Sequence, residues 1–365
     1  MPPINILILT APFGNGHLVA ANSLAETFKE EGCTVSICDI FTESHPVLTS
    51  NISKTHHRLF SIGSTYSYFY YGIDKLSATK LINLYRLFGY QTLKRVIKTF
   101  KPDIIVNTFP VLSAPEFMRK YQLGVPVINV VTDFCCHRLW ITDNFDRIYL
   151  ATDDLKERLV KMNIPVNKLE VTGIPIRNDF EKPFDKQATL EKYGLPDSPF
   201  TLLVSAGAKG VLKDLDLICK DLSTLSSIQI LVVCGTNLKL KTKIDAMNLS
   251  NVKTFGYVET IHELYKLANL MITKPGGITL SEASACNLPL ILVKPVPGQE
   301  KENAAYFSKK GAALIAKNKE EILEKTVFLL KNPSKLDEMR HNLQVFRSYA
   351  SSQKIVRDLL SRYVN

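Results

Sequence analysis

Twelve short aliphatic and β-branched runs alternate with helix-length amphipathic stretches along almost the whole chain. No other feature constrains the fold as strongly, because strands separated by whole helices pair most readily as parallel neighbours joined by βα crossovers. In the first half the predicted strands are Ile4–Leu9, Thr34–Cys38, Asp103–Asn107, Val127–Val131, Arg147–Leu150 and Leu169–Thr172. In the second half they are Phe200–Ser205, Ile228–Cys234, Val252–Phe255, Leu270–Thr273, Leu288–Val293 and Ala312–Ile315. Between the sets, Phe180–Pro199 carries Pro183, Gly194, Pro196 and Pro199 and reads as a linker with one short helix. The pattern predicts an α/β chain of two doubly wound domains in tandem, spanning 1–180 and 181–345. Residues 346–365 form a last segment whose Ile355, Val356, Leu359 and Leu360 share one helical face. A length of 365 residues suits two such domains. Ligands of these sheets bind beyond the carboxyl ends of the strands, so the expected site is a cleft between two facing sheets.

No stretch approaches the roughly 18 consecutive apolar residues that a transmembrane helix requires. The N-terminus runs from Met1-Pro2-Pro3 directly into the first strand, without a basic leader or a cleavage site, and the expectation is a cytoplasmic protein. Seven cysteines, mostly on apolar runs and with no Cys-x-x-Cys, read as reduced core residues and neither a zinc site nor a disulfide frame.

The turn after the first strand is Thr10-Ala11-Pro12-Phe13-Gly14-Asn15-Gly16-His17, opening a helix over Leu18–Phe28. Its glycines allow close backbone approach to a ligand. Asp39, at the end of the second strand, invites a dinucleotide reading. That reading fails because the third glycine of the fingerprint would fall at Val19, and His17 stands where a pyrophosphate needs room. An imidazole at the carboxyl end of a strand suits proton transfer, with a structural, hydrogen-bonded histidine as the plainer alternative.

The second half carries four polar or glycine-rich strand ends. They hold Ser205-Ala206-Gly207-Ala208-Lys209-Gly210, Gly256-Tyr257-Val258, Lys274-Pro275-Gly276-Gly277-Ile278-Thr279-Leu280-Ser281-Glu282, and Pro297-Gly298-Gln299-Glu300-Lys301-Glu302-Asn303. Gly235 ends the strand over Ile228–Cys234 in the same way. In the third of them, Gly276 and Gly277 make the turn and Thr279 is expected to begin a helix whose free amides face a diphosphate. Glu282 is placed for ribose hydroxyls, Tyr257 and Val258 for a base edge, and Gln299, Glu300 and Asn303 for sugar hydroxyls. Asp214-Leu215-Asp216 is the one Asp-x-Asp candidate for a metal. It falls in Val211–Leu222, which reads as a helix that points the two acids to different faces, and is expected to be solvated surface.

The chain has 45 Lys and Arg against 35 Asp and Glu, a net charge of +10. Most of the excess is local: residues 51–102 hold nine basic residues and one acid, a net of +8, which leaves +2 for the rest. The same stretch holds ten aromatic residues. Aromatic rings settle at lipid headgroups and cations are drawn to anionic surfaces, so Tyr68, Phe69, Tyr70, Tyr71, Lys75, Lys80, Arg86 and Lys94 form a candidate membrane-docking arm. Aromatic and basic residues also bind single-stranded nucleic acid, but on an open sheet or barrel. The spacing of Leu81, Leu84, Tyr85 and Phe88 is helical, and no nucleic-acid partner is expected. The plainer alternative is that the rings fill the core beneath a solvated basic face.

Lys274-Pro275-Gly276-Gly277-x-Thr279-x-x-Glu282-Ala283, with Pro297-Gly298-Gln299-Glu300-x-x-Asn303-Ala304, resembles the donor-binding half of the GT-B glycosyltransferases that act on lipid acceptors. That family includes MurG, monogalactosyldiacylglycerol synthase and the bacterial processive diacylglycerol glucosyltransferases. The first-half motifs are most similar to those of the last group: Gly14-x-Gly16-His17-x-x-Ala20-Ala21, Thr132-Asp133-Phe134 with His137 and Trp140, and Thr172-Gly173-Ile174-Pro175-Ile176-Arg177. The resemblance spans nearly the whole chain and implies a GT-B fold. The acceptor and membrane-facing domain would come first and the UDP-sugar domain second, with a final helix returning to the N-domain. It implies inverting transfer of glucose from UDP-glucose to diacylglycerol, and onward to glucosyldiacylglycerol, at the inner face of the cell membrane. His17 would be the base, with Asp133 orienting it or acting in its place. His137 and Trp140 would line the acceptor side. Gly16, Gly207, Gly210, Gly235, Tyr257, Val258, Lys274, Gly276, Gly277, Thr279, Glu282, Gln299, Glu300 and Asn303 would hold the donor without a metal or other cofactor. The alternatives are a galactosyltransferase or a MurG-like enzyme and, of other classes, a UDP-sugar epimerase or a non-catalytic UDP-sugar sensor.

Overall fold

The computed structural model describes residues 3–12, 15–44, 86–141, 145–198, 200–208, 210, 212–346 and 350–364. All twelve predicted strands are present, with ends displaced by no more than two residues. They are β1 Asn5–Thr10, β2 Thr34–Asp39, β3 Ile104–Asn107, β4 Val127–Val130, β5 Arg147–Leu150, β6 Leu169–Val171, β7 Thr201–Ser205, β8 Gln229–Val233, β9 Val252–Phe255, β10 Leu270–Thr273, β11 Leu290–Val293 and β12 Ala313–Ala316. They form two six-stranded, wholly parallel sheets ordered β2-β1-β3-β4-β5-β6 and β12-β11-β10-β7-β8-β9. Central strands such as Ile6-Leu7-Ile8-Leu9 are fully buried, as expected of sheets covered by helices on both faces. Each sheet reverses its winding once, between β1 and β3 in the first and between β7 and β10 in the second. The loops leaving those strands diverge there and open a crevice.

The chain divides into two compact units. The first comprises Met1–Arg177, Val296–Gln299 and Ser348–Asn365, and the second Asn178–Pro295 and Glu300–Arg347. In the first unit, one face of the sheet packs Ile6, Ile8, Ile104 and Val106 against Ala21, Leu24 and Phe28 and against Ile355, Val356 and Leu359 of the final helix, Ser351–Tyr363. That helix is also held by charge. Buried Arg147 on β5 donates from Nε to Asp358 at 2.6 Å, from the guanidinium to Glu170 at 2.7 Å, and to the Asn167 carbonyl at 2.9 Å. The Tyr149 hydroxyl adds a second bond to Asp358, also at 2.6 Å. A buried guanidinium is tolerable only with such partners.

The segment expected to be a linker is a packed part of the second unit. Phe180 is buried edge-on against Tyr265, and the helix Lys186–Tyr193 starts on an Asp185 cap and stops at Gly194, whose φ is +56°.

Residues 45–85 lie outside the described residues, and with them Tyr68, Phe69, Tyr70, Tyr71, Lys75 and Lys80. Of the described remainder of the basic stretch, Phe88, Tyr90 and Phe100 pack onto the core below the first sheet, so these three rings follow the plainer reading. Lys94 and Lys98 are exposed on the helix Tyr90–Phe100, Arg86 is half-buried, and Arg95 pairs with Glu43 at 3.2 Å.

Candidate functional site

The helix Gly16–Glu30 follows β1 and begins two residues earlier than the sequence pattern suggests, which puts His17 in its first turn. There the imidazole meets the ends of two further strands. Nδ1 lies 2.8 Å from the Thr108 carbonyl, just after β3, and 2.8 Å from the Thr132 hydroxyl, just after β4. A carbonyl oxygen only accepts, so the proton is on Nδ1 and Nε2 carries the lone pair. Among the described residues Nε2 has no hydrogen-bond partner. Phe109 stands edge-on to the ring with centroids 5.0 Å apart. The residue keeps part of its surface open to solvent, yet burial of the ring pulls its pKa down to about 4, while the Thr108 bond acts in the opposite direction. A neutral ring with a bare Nε2 is what a proton acceptor requires.

Asp133, beside Thr132, does not orient His17 as expected from the resemblance, since the ring's partners are Thr108 and Thr132. Its carboxylate is buried and accepts a 2.6 Å bond from the Gln299 side-chain amide, within the first unit. Trp140 is a correction too. At 1% exposure it is core, packed with Val131, Phe145 and Ile148, and it cannot line an acceptor surface. His137 is buried, and its Nδ1 accepts from the Leu139 amide at 3.2 Å to cap a single 3₁₀ turn.

In the second unit, the strand ends interlock through backbone. Gly210 and Gly235 have φ of +64° and +57°. A Cβ on Gly210 would sit 2.2 Å from the Cys234 carbonyl oxygen, and one on Gly235 would sit 2.3 Å from that of Ala208. The Thr236 amide donates to Ala208 at 2.9 Å, and the Asn237 side-chain amide to Gly210 at 3.1 Å. These two glycines are therefore needed by the loops themselves. Gly207 and Gly276 differ: among the described residues nothing stands within 4 Å of a Cβ on the first, although its φ of +75° still favours glycine, and only the Thr279 hydroxyl, at 3.9 Å, near the second.

The helix after Gly276 begins at Gly277 and not at Thr279; it spans Gly277–Ala285 and has no side-chain cap. Its first-turn amides and positive end are consequently available to an anion. Lys274 and Thr279 are half-buried beside it and Glu282 is almost wholly buried one turn in. Asn303 is fully buried and donates to the Pro275 carbonyl at 3.1 Å, bracing this turn in place of presenting itself to a sugar. Gln299 and Glu300 open the helix Gln299–Lys309. Tyr257 is exposed and Val258 half-buried at the end of β9. Asp216 is not solvated as expected. It is buried and paired with Lys243 at 2.6 Å, which lowers its pKa, while Asp214 precedes the helix Leu215–Leu222 in a left-handed conformation. Among the described residues no group of three or more His, Cys, Asp or Glu side chains could hold a metal ion.

Known proteins share both halves. The family model of monogalactosyldiacylglycerol (MGDG) synthase matches residues 17–176, and that of the glycosyltransferase family 28 C-terminal domain matches residues 201–355. Along 363 residues, 98% of this chain and 95% of the relative, the chain is 42% identical to the processive diacylglycerol beta-glucosyltransferase of Bacillus licheniformis. It is 43% identical over 344 residues, 93% of the chain and 89% of the relative, to the protein of that name from Bacillus cereus strain B4264. The chain belongs to the processive diacylglycerol β-glucosyltransferase family. Among solved structures, it is similar to MurG of Acinetobacter baumannii, with a TM-score of 0.66 at 16% identity over 98% of this chain and 100% of that one. It is also similar to the UDP-GlcNAc 2-epimerase of Neisseria meningitidis, with a TM-score of 0.61 at 17% identity over 99% and 100%. At such identities the likeness shows the fold, a two-domain GT-B fold, which transferases and epimerases share. Within this diacylglycerol glucosyltransferase family member, sequence reasoning missed the part played by Thr108 and Thr132 beside His17. The signal available was the Thr132 hydroxyl directly after the fourth predicted strand, whereas Thr108 acts through a backbone carbonyl that any residue would supply.

Proposed function

We propose that the protein transfers glucose from UDP-glucose to the hydroxyl of diacylglycerol, and then to the monoglucosyl product, with inversion to give β-glucosyldiacylglycerol. The observation that carries this reading is identity at 42% along almost the entire length of both chains with a relative bearing that name. The geometry supports it by meeting two chemical demands. His17 Nε2 takes the proton of the acceptor hydroxyl as its oxygen bonds to the anomeric carbon. The bond from that carbon to the β-phosphate oxygen breaks, and its electron pair leaves with UDP. The uncapped helix start at Gly277 offers the preorganised positive field for that leaving diphosphate, and the reaction as proposed needs no metal. Lys274, Thr279 and Glu282 surround the same turn, and Gly207 leaves room for the donor.

The experiment is incubation of the purified protein with diacylglycerol vesicles and either UDP-glucose or UDP-galactose, with mass spectrometry of the lipid over time. Mono- and then diglucosyl product from UDP-glucose is expected. The match to the galactolipid synthase model favours galactose as the second reading, and galactolipid alone would replace the first. UDP-sugar turnover without lipid would identify an epimerase, and absence of turnover with any UDP-sugar would leave a sensor. We propose in addition that the +8 segment 51–102 docks the enzyme on the anionic inner face of the cell membrane. Flotation with anionic vesicles should weaken with salt and when Lys75, Lys80, Arg86 and Lys94 are neutralised together. Unchanged flotation of that variant would remove the arm as anchor.

A further inference from the structure

Thr132 is 3% exposed, and the sole hydrogen-bond partner of its hydroxyl among the described residues is His17 Nδ1. Burying a hydroxyl costs free energy that an isosteric valine would avoid, so a buried threonine with one partner points to that partner. Nδ1 already donates to the Thr108 carbonyl at 2.8 Å, so the Thr132 oxygen, also at 2.8 Å, faces the same N–H as a second acceptor. We propose that Thr132 is a positioning residue: with the Thr108 carbonyl it clamps the His17 ring as the Nδ1–H tautomer, turns Nε2 to the acceptor hydroxyl, and shares the charge of the imidazolium as it forms. This rests on the proposed transferase reaction.

The clamp acts differently before and after proton transfer. In the resting ring it selects the tautomer and orientation. When Nε2 takes the acceptor proton, both ring nitrogens carry hydrogen and the new positive charge falls partly on Nδ1–H, where two oxygens receive it. Among the described residues no charged side chain acts on the ring, so there these neutral oxygens are its electrostatic support. The neighbouring carboxylate of Asp133 is engaged by Gln299. Phe109 walls the ring by its edge.

The test compares Thr132→Val with Thr132→Ser. For Thr132→Val, kcat should fall about 5- to 10-fold, with the KM for UDP-glucose unchanged within about 2-fold and the acidic limb of kcat moved about half a pH unit lower. The downward direction follows because losing an acceptor destabilises the imidazolium. Thr132→Ser, which keeps the oxygen, should restore both. Independently of turnover, 15N spectra at neutral pH, with the His17 signals identified by their loss in His17→Gln, should show Nδ1 protonated in the wild type. The Nδ1–H share should fall in Thr132→Val and return in Thr132→Ser. A wild-type rate and profile in Thr132→Val, or failure of serine to restore them, overturns the proposal. A wild type that clamps the tautomer but makes no glycolipid overturns the transferase reading and leaves the tautomer clamp standing.

Discussion

The two strand-end crevices of this molecule present opposite kinds of chemistry. In the first unit a single side chain, His17, is held by a carbonyl and a hydroxyl from two other strands. In the second, the groups brought to the crevice are backbone: amides at an uncapped helix start, and loops locked together through Gly210 and Gly235. Two side chains there, Asn237 and Asn303, brace the backbone. A proton is moved by one group of the right basicity, whereas a diphosphate spreads its charge over several oxygens and is best met by several fixed dipoles.

The largest test of that contrast is His17→Ala. If the first crevice works through one imidazole, kcat should drop about 10²- to 10³-fold. UDP affinity, measured by calorimetry, should stay within about 2-fold because the donor amides are untouched. Equal losses in rate and affinity would break the division of labour. The wild-type pH dependence sharpens it. With the His17 pKa lowered to about 4 by burial, the imidazole stays neutral well below the pH at which a free histidine charges. The acidic limb of kcat/KM should therefore lie far below 6.5, and His17→Gln should abolish it. A limb near 6.5 would assign the base to another group.

Gly235→Ala probes the second crevice as a scaffold. The new methyl would meet the Ala208 and Gly207 carbonyl oxygens at 2.3 and 2.5 Å, and φ of +57° adds strain. A loss of about 2–4 kcal/mol in unfolding free energy is expected by denaturant titration. A variant as stable as the wild type would show that the two loops are not locked through backbone.

These contrasts also explain what could be read in the sequence. The central strands are buried on both faces and are continuous aliphatic runs, and the more exposed edge strands β2 and β9 still carry β-branched residues between turn signals, so all twelve could be located. His17 declared itself by residue type and place. The start of the helix at Gly277 did not, because two glycines look like a turn, and a helix beginning on glycine has no side-chain signature. Trp140 and Asp216 were misplaced for another reason. Whether a ring is core or an acid is paired depends on partners such as Val131, Ile148 and Lys243 that only the folded chain brings near. The Thr132 hydroxyl is of that kind as well, reaching a histidine 115 residues earlier.

Gly276→Ala is the finest probe of the second crevice. Its φ of −73° suits any L-residue, and among the described residues the nearest atom to a new Cβ is the Thr279 hydroxyl at 3.9 Å. Neither strain nor packing therefore calls for glycine, and unfolding free energy should change by less than about 0.5 kcal/mol. A methyl at the N-cap would, however, stand where a diphosphate approaches the helix amides, and UDP affinity should fall about 10-fold. The pairing with Gly235→Ala is what makes the result decisive. If Gly276→Ala binds UDP as the wild type does, the helix start is not where the diphosphate rests. If it unfolds as readily as Gly235→Ala, glycine at 276 belongs to the scaffold. Loss of affinity without loss of stability separates a glycine kept for a ligand from one kept for its neighbours.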